Sequence, residues 1–344
     1  MRLPVALKVY LLNVALLAGC ERSPEPKFVS SVRAQALSPG LQTALTKELV
    51  KETGTYAHPE LIGDPPGVNL AKGQAVYQER CVQCHGISGD GDGPAAKFLY
   101  PRPRDYRKGL FKFTSTPYGF RPLRSDLERT IQAGVRGTSM PAFNLLPKDE
   151  LQSVLDYVLM LTYRGEFEEG LVNLADDEEA IDPALVKEEV LPRVTQRWEQ
   201  AETQQVQPFT PQPKFTEEHV ALGQKAFLTI GCAKCHGEDG RGQMADNIGK
   251  DGWGRTTRAA DLTSGMLHGG QKPIDIYRRI YSGINGTPMP SFASALQSQP
   301  DTIWHLVAYV KFVSSRRREG ELPHPGAIKP YVPAEEKTAE TAAK

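Results

Sequence analysis

Apolar positions along the chain fall into short helical stripes, and the stripes come in pairs. Leu70, Gly73, Val76 and Tyr77 are spaced to share one helix face, and Val220, Gly223, Ala226 and Phe227 repeat the pattern far downstream. A second pair is Leu151, Val154, Leu155 and Val158, answered by Ile303, Leu306, Val307 and Val310, with Tyr157 and Tyr309 at matching places. Asn69 and Thr216 are suitable N-caps for the first pair, and Glu217 and Glu218 favour the positive end of the second copy. A middle helix is predicted inside each set. One opens with the capping-box sequence Ser125-Asp126-Leu127-Glu128, the other at Pro273. A glycine in each leading stripe, Gly73 or Gly223, allows another helix to cross closely.

What lies between the stripes is also written twice. "CVQCHG" occupies 81–86 and "CAKCHG" occupies 232–237, and "IQAGVRGTSMPAF" (131–143) matches "IYSGINGTPMPSF" (280–292) at Ile, Gly, Gly, Thr, Met, Pro and Phe. Repetition of whole blocks in the same order argues for a duplicated domain. A length of 344 residues is consistent with two domains, and 40% apolar with 24% charged residues are ordinary globular values. Lysine plus arginine and aspartate plus glutamate balance at 41 each, so net charge indicates neither nucleic acid nor any other partner class.

The cysteines carry the chemistry. Four of the five sit in the two Cys-x-x-Cys-His phrases, Cys81, Cys84 and His85, then Cys232, Cys235 and His236. This is the spacing of c-type haem attachment. Two thiols one helical turn apart reach two vinyl groups of one ring, and the next histidine meets the iron from one side. A zinc site would want a second Cys/His pair near each phrase, and a redox disulfide would want a βαβ setting without an obligatory histidine. Met140 lies 55 residues after His85 and Met289 lies 53 after His236, each followed by a stiffening proline. A methionine is often core filler, but only 6 occur in the chain and two hold the same repeated frame.

The order helix, CxxCH, helix, methionine loop, helix resembles class I cytochrome c, twice over. The chain resembles a bacterial dihaem c-type cytochrome lipoprotein. The resemblance implies a mostly α-helical fold with two covalent haems c, and iron ligands His85 and Met140 in one domain, His236 and Met289 in the other. It also implies an electron carrier between redox partners rather than an enzyme, because saturated His/Met ligation leaves no open iron. The competing class is a dihaem enzyme such as a peroxidase or a thiosulfate-oxidising cytochrome. Class I cytochromes often hold the proximal histidine with a proline carbonyl. Pro101 or Pro103 could serve His85, while the matching stretch of the second copy has no proline for His236. His268, in the glycine-flanked "GMLHGG", reads as a surface loop histidine.

The fifth cysteine belongs to another motif. Arg2 and Lys8 precede and open the uncharged, mostly apolar run "VYLLNVALLAG", which ends at Leu17-Ala18-Gly19-Cys20. It resembles a lipoprotein signal with Cys20 as the acylated residue. The implied location is the periplasmic side of the inner or outer bacterial membrane, held by lipid. The expected division is a signal at 1–19, a spacer at 20–67, a cytochrome c domain at 68–166, a linker at 167–215, a second domain at 216–318 and a flexible tail at 319–344. The linker begins with ten acidic residues against one lysine between 165 and 191, then turns Pro/Gln-rich, and reads as solvated with a helical piece. Between Lys97 and Arg124 eight cations face only Asp105. This cluster predicts either a basic docking face for an acidic redox protein or respiratory complex, or a neutralising shell for haem propionates.

Overall fold

The computed structural model describes residues 25–63, 65, 67–242 and 249–316. The signal and Cys20 lie outside the described residues, and so does the tail from 319. The protein is mostly α-helical. Its elements run α1 (Val32–Ala36), α2 (Pro39–Thr53), α3 (Leu70–Arg80), α4 (Val82–His85), α5 (Arg124–Ala133), α6 (Lys148–Glu178), α7 (Leu191–Glu202), α8 (Glu217–Ile230) and α9 (Cys232–His236). Then come strands β1 (Gly249–Lys250) and β2 (Thr256–Thr257), followed by α10 (Pro273–Ser282), α11 (Ala293–Leu296) and α12 (Thr302–Ser315). No helix among the described residues is long and apolar enough to cross a membrane.

The paired stripes become paired helix crossings. In α3 the buried residues are Leu70, Gly73, Val76 and Tyr77, and α6 packs Val154, Tyr157 and Val158 into the same cluster, while its Leu151 and Leu155 are buried with Leu127 of α5. A Cβ on Gly73 would run into the Ser153 carbonyl of α6, and one on Gly223 of α8 into the His305 carbonyl of α12. The two backbones therefore touch at one point, which only glycine permits. Beside each contact an aromatic pair repeats: Tyr77 and Tyr157 have ring centroids 5.2 Å apart at 55°, and Phe227 and Tyr309 stand 5.2 Å apart at 57°. The caps are as expected at Asn69, which accepts from the Lys72 N–H, and at Thr216, which accepts from the His219 N–H. The middle helix of domain 1 starts two residues earlier than a Ser125 cap implied, with Leu123 at the cap position. Asp126 reaches back to the Leu123 N–H at 3.1 Å, and Asp275 likewise to the Lys272 N–H at 3.2 Å.

The structure differs from the sequence reading in the stretch before domain 1 and in the linker. Residues 167–202 are largely helical and packed. The helix α6 continues to Glu178, burying Phe167, Leu171, Val172 and Ala175 against Ala34, Leu45 and Leu49 of α1 and α2 and against Ile181, Val186, Val190 and Val194. The acidic run hides a helical stripe, and its charges find partners at the edges. Arg33 meets Glu169 and Asp176 at 2.5 and 2.6 Å, and the Ser31 N–H donates to Glu168 at 2.7 Å. Glu166 turns inward, accepting from Trp198 Nε1 at 2.7 Å and pairing with Arg121. Trp198 itself lies under Leu127, Leu151 and Leu155. Beyond α7 the chain is anchored too. Val206 donates to the Ser115 carbonyl at 2.8 Å and packs in the core of the second domain, where Trp304 Nε1 donates to the Thr210 carbonyl at 2.8 Å.

The two repeats meet through their middle helices. Arg129 of α5 faces Asp275 of α10 at 3.6 Å, Ser282 Oγ donates to the Thr116 carbonyl at 2.9 Å, and Arg279 reaches the Thr114 carbonyl. Asn285 accepts from the Gly119 N–H at 2.9 Å.

Candidate functional site

Each attachment phrase folds as a short helix ended by its glycine. The His85 N–H donates to the Cys81 carbonyl at 2.9 Å, and Gly86 leaves the helix with φ 74°. Gly237 does the same for α9, with φ 73°. The left-handed φ explains the sixth residue of the repeated phrase, since a side chain there is strained. The four described cysteines form no disulfides. Burial pushes the Cys81 thiol up to about 12 and the Cys232 thiol up to about 11. A redox-active CxxC pair carries a thiol with a lowered pKa, and burial moves Cys81 and Cys232 the other way. Among the described residues no group of three or more His, Cys, Asp or Glu side chains could hold a metal ion.

Both histidines are held from behind by a backbone carbonyl. His85 Nδ1 lies 3.0 Å from the Arg104 carbonyl and His236 Nδ1 lies 3.1 Å from the Ala260 carbonyl. The Nδ1–H donor fixes the tautomer and leaves Nε2 for a metal. The expectation that Pro101 or Pro103 would do this is corrected: the acceptor is the next residue, Arg104. Its counterpart is an alanine because a main-chain carbonyl needs no particular side chain. Burial pushes His85 down to about 4 and lowers His236, and in each ring it favours the neutral form. Tyr106 stacks on His85 at 4.7 Å and limits its rotation.

The methionine loops are two copies of one hydrogen-bonded design. The Phe143 N–H donates to Ile131 and the Phe292 N–H to Ile280, at 3.1 and 3.2 Å. The carbonyl of Met140 accepts from Val135 at 3.1 Å and that of Met289 from Ile284 at 3.2 Å. Thr138 and Thr287 each accept from the methionine N–H, at 3.2 and 3.3 Å. Gly134 and Gly283 take φ 64° and 66° with Pro141 and Pro290 pressed against them. Of the matched letters, the first glycine and the threonine shape the loop through φ and a side-chain oxygen, while the bonds at Ile, Met and Phe run through the main chain.

In domain 1 these parts enclose a cavity. Cys81, Cys84 and His85 line one side and Met140 another, among apolar walls that include Val76, Phe111, Ile131, Phe143, Val154 and Val158. A donor set of two thiols, an imidazole and a thioether lining one largely apolar cavity fits haem c, whose iron supplies one-electron chemistry. The model of the family "Cytochrome C oxidase, cbb3-type, subunit III" matches residues 68–158, and that of the family "Cytochrome c" matches residues 220–314. The chain belongs to the dihaem c-type cytochromes. It carries two covalently bound haems c.

A Cbb3-type cytochrome c oxidase subunit CcoP from Azospirillum sp. (strain B510) is 29% identical to this dihaem cytochrome over 108 residues, covering 28% of this chain. The chain matches about a third (31%) of that curated relative's length. Among solved structures, a chain of the Kuenenia stuttgartiensis reducing HAO-like protein complex is similar with a TM-score of 0.57 and 30% identity, over 72% of this chain and 98% of that one.

The basic cluster of domain 1 is mostly committed internally. Arg107 pairs with Asp105 at 3.0 Å, Arg121 with Glu166, and Arg124 with Asp156 at 2.6 Å. Lys108 donates to the Gly252 carbonyl of domain 2 at 2.9 Å, Arg104 stacks on Trp253, and Lys112 lines the cavity. Of the eight cations, Lys97, Lys108 and Arg124 remain exposed. Two of the partners, Glu166 and Asp156, come from the distant helix α6. His268 is also misplaced by the sequence reading, because it lines the cavity of domain 1 from domain 2.

Proposed function

We propose that the protein relays single electrons through its two haems, between a redox protein or membrane respiratory complex on each side. In this reading Cys81 and Cys84 hold one haem by thioether bonds, with His85 and Met140 as axial ligands. Cys232 and Cys235 hold the other, with His236 and Met289. The observation that carries it is the common hydrogen bonding of the two methionine loops, which favours a sulfur ligand at both irons and an open site at neither. A thioether raises the potential and suits transfer over substrate activation. The relative named as an oxidase subunit supports a place beside a respiratory complex. The protein is membrane-tethered through acylated Cys20 on the periplasmic side, since several acyl chains, at about 0.8 kcal/mol per buried methylene, hold firmly.

The test is stoichiometry and ligand access together. Two haems should survive denaturation and acid-acetone extraction, one on each CxxCH peptide, and a mass corresponding to one haem would overturn the relay. The reduced protein should not bind carbon monoxide. Rapid binding would mark an open iron and favour the dihaem-enzyme reading, with which the HAO-like neighbour is compatible. For the tether, Cys20→Ser should move holoprotein into the soluble fraction or leave the signal uncut. An unaltered protein already soluble, with an unacylated N-terminal peptide, counts against the anchor.

A further inference from the structure

The walls of the domain 1 cavity carry an imbalance of charge. Arg80, Arg102, Arg104, Lys112 and His268 all line it, and among the described residues no aspartate or glutamate does. Arg80 and Arg102 have carboxylates outside, Glu79 at 3.0 Å and Asp92 at 3.9 Å. Neither Arg104 nor Lys112 makes an ion pair among the described residues. The Arg104 guanidinium instead lies 3.7 Å over the Trp253 ring, with Asp251 compensating part of its charge. Burial pushes Arg104 down to about 10 and Lys112 to about 8, and the nearby Arg104 charge lowers Lys112 further. Cations drawn into a protein wall at this cost usually meet an anion.

Domain 2 brings the rest. The antiparallel pair of β1 and β2 holds the turn 251–255, in which Asp251 accepts from the Trp253 and Arg255 N–H groups at 3.0 Å each. That turn grips the segment behind His85, with Arg255 donating to the Pro103 carbonyl at 3.0 Å and reaching Asp92 at 3.4 Å. A second segment of domain 2 reaches the other side of the cavity. A Cβ on Gly137, in the Met140 loop, would lie 3.2 Å from His268 Nε2 and 3.4 Å from Met266 Cβ. Arg136 beside it donates to Gln271 at 2.9 Å.

We propose that Arg104 and Lys112, with His268 contributed by domain 2, form the anchoring site for the propionate carboxylates of the domain 1 haem. This rests on the ligation of that haem by the Cys81–His85 phrase. Haem brings two carboxylates into a cavity that has several basic groups and no acid of its own. Domain 2 would thus supply part of the first haem's site through His268. These three side chains are positioning residues.

The experiment is a redox titration of the full holoprotein, resolving the two haems, for Lys112→Leu, His268→Leu and His268→Gln. Loss of a cation or a hydrogen-bond donor beside a carboxylate favours ferric iron, so Lys112→Leu and His268→Leu should both lower the potential of the domain 1 haem. The domain 2 haem should keep its potential, and His268→Gln, which retains a donor, should restore the parent value. A general loosening of the interface would not be rescued by glutamine. Unchanged domain 1 potentials, or a shift confined to the other haem, overturn the proposal. Absence of haem from the 81–85 peptide of the parent protein would instead overturn the ligation on which it rests.

Discussion

Met140→Ala removes about half of the sulfur-to-iron charge-transfer absorption and lowers one haem potential, while Met289→Ala does the same to the other haem. A thioether stabilises ferrous iron, so its loss shifts the couple toward ferric. Each variant should also let carbon monoxide reach one reduced haem. The loops themselves should survive, because the methionine side chain takes no part in their hydrogen bonding. Met140 and Met289 contribute main-chain N–H and carbonyl groups to Thr138, Val135, Thr287 and Ile284, and alanine keeps these groups. Haem content should therefore match the parent. Intact charge-transfer absorption in both single variants would mean that other ligands hold the irons.

The second large effect concerns stability. Gly73→Ala should destabilise domain 1 even though alanine is the better helix former. Propensity favours alanine by about 1 kcal/mol. Against this, the new Cβ meets the Ser153 carbonyl and comes within 3.0 Å of Tyr157 Cβ. The obstructing atoms belong to helical backbone and cannot swing aside, so overpacking costs about 1–3 kcal/mol or more. The clash prevails, and Gly73→Val should be worse. Gly223→Ala should behave likewise against His305 of α12, where Tyr309 Cβ stands at 2.8 Å. A Cβ on Gly40 in α2 would meet nothing within 4 Å, so Gly40→Ala should be neutral or stabilising by up to about 1 kcal/mol. Thermal unfolding of the holoproteins separates these cases, at roughly 4–8 °C per kcal/mol for a domain of this size. Equal melting temperatures for Gly73→Ala and Gly40→Ala would show that the helices at Gly73 can part without cost.

The linker illustrates where reading the chain by composition fails. Ten acids in a short stretch look solvated, yet Phe167, Leu171 and Ala175 recur at helical spacing within it and are buried. That stripe was visible in the letters. Its partner was not, because α1 and α2 lie more than a hundred residues earlier and their own stripes are weak. The basic cluster looked less opposed than it is for a related reason. The window from Lys97 to Arg124 holds Asp105 as its one acid, but Glu166 and Asp156 reach Arg121 and Arg124 from α6. Charge counted along a window says nothing about charge brought in by folding.

The sequence by itself determined the covalent chemistry, the duplication and the local shapes. CxxCH, the glycines at positive φ and the threonine–methionine–proline loops act through bonds a few residues long, so each repeat carries its own instructions. Only the tertiary structure decided which groups serve a site from a distance. It chose the carbonyl of Arg104 for His85, an acceptor any residue supplies. It turned Glu166 inward to Arg121 and Trp198, and it laid His268 of one domain in the wall of the other. Such contacts depend on how two helical layers and two domains pack, which is set by the summed fit of many side chains rather than by any motif.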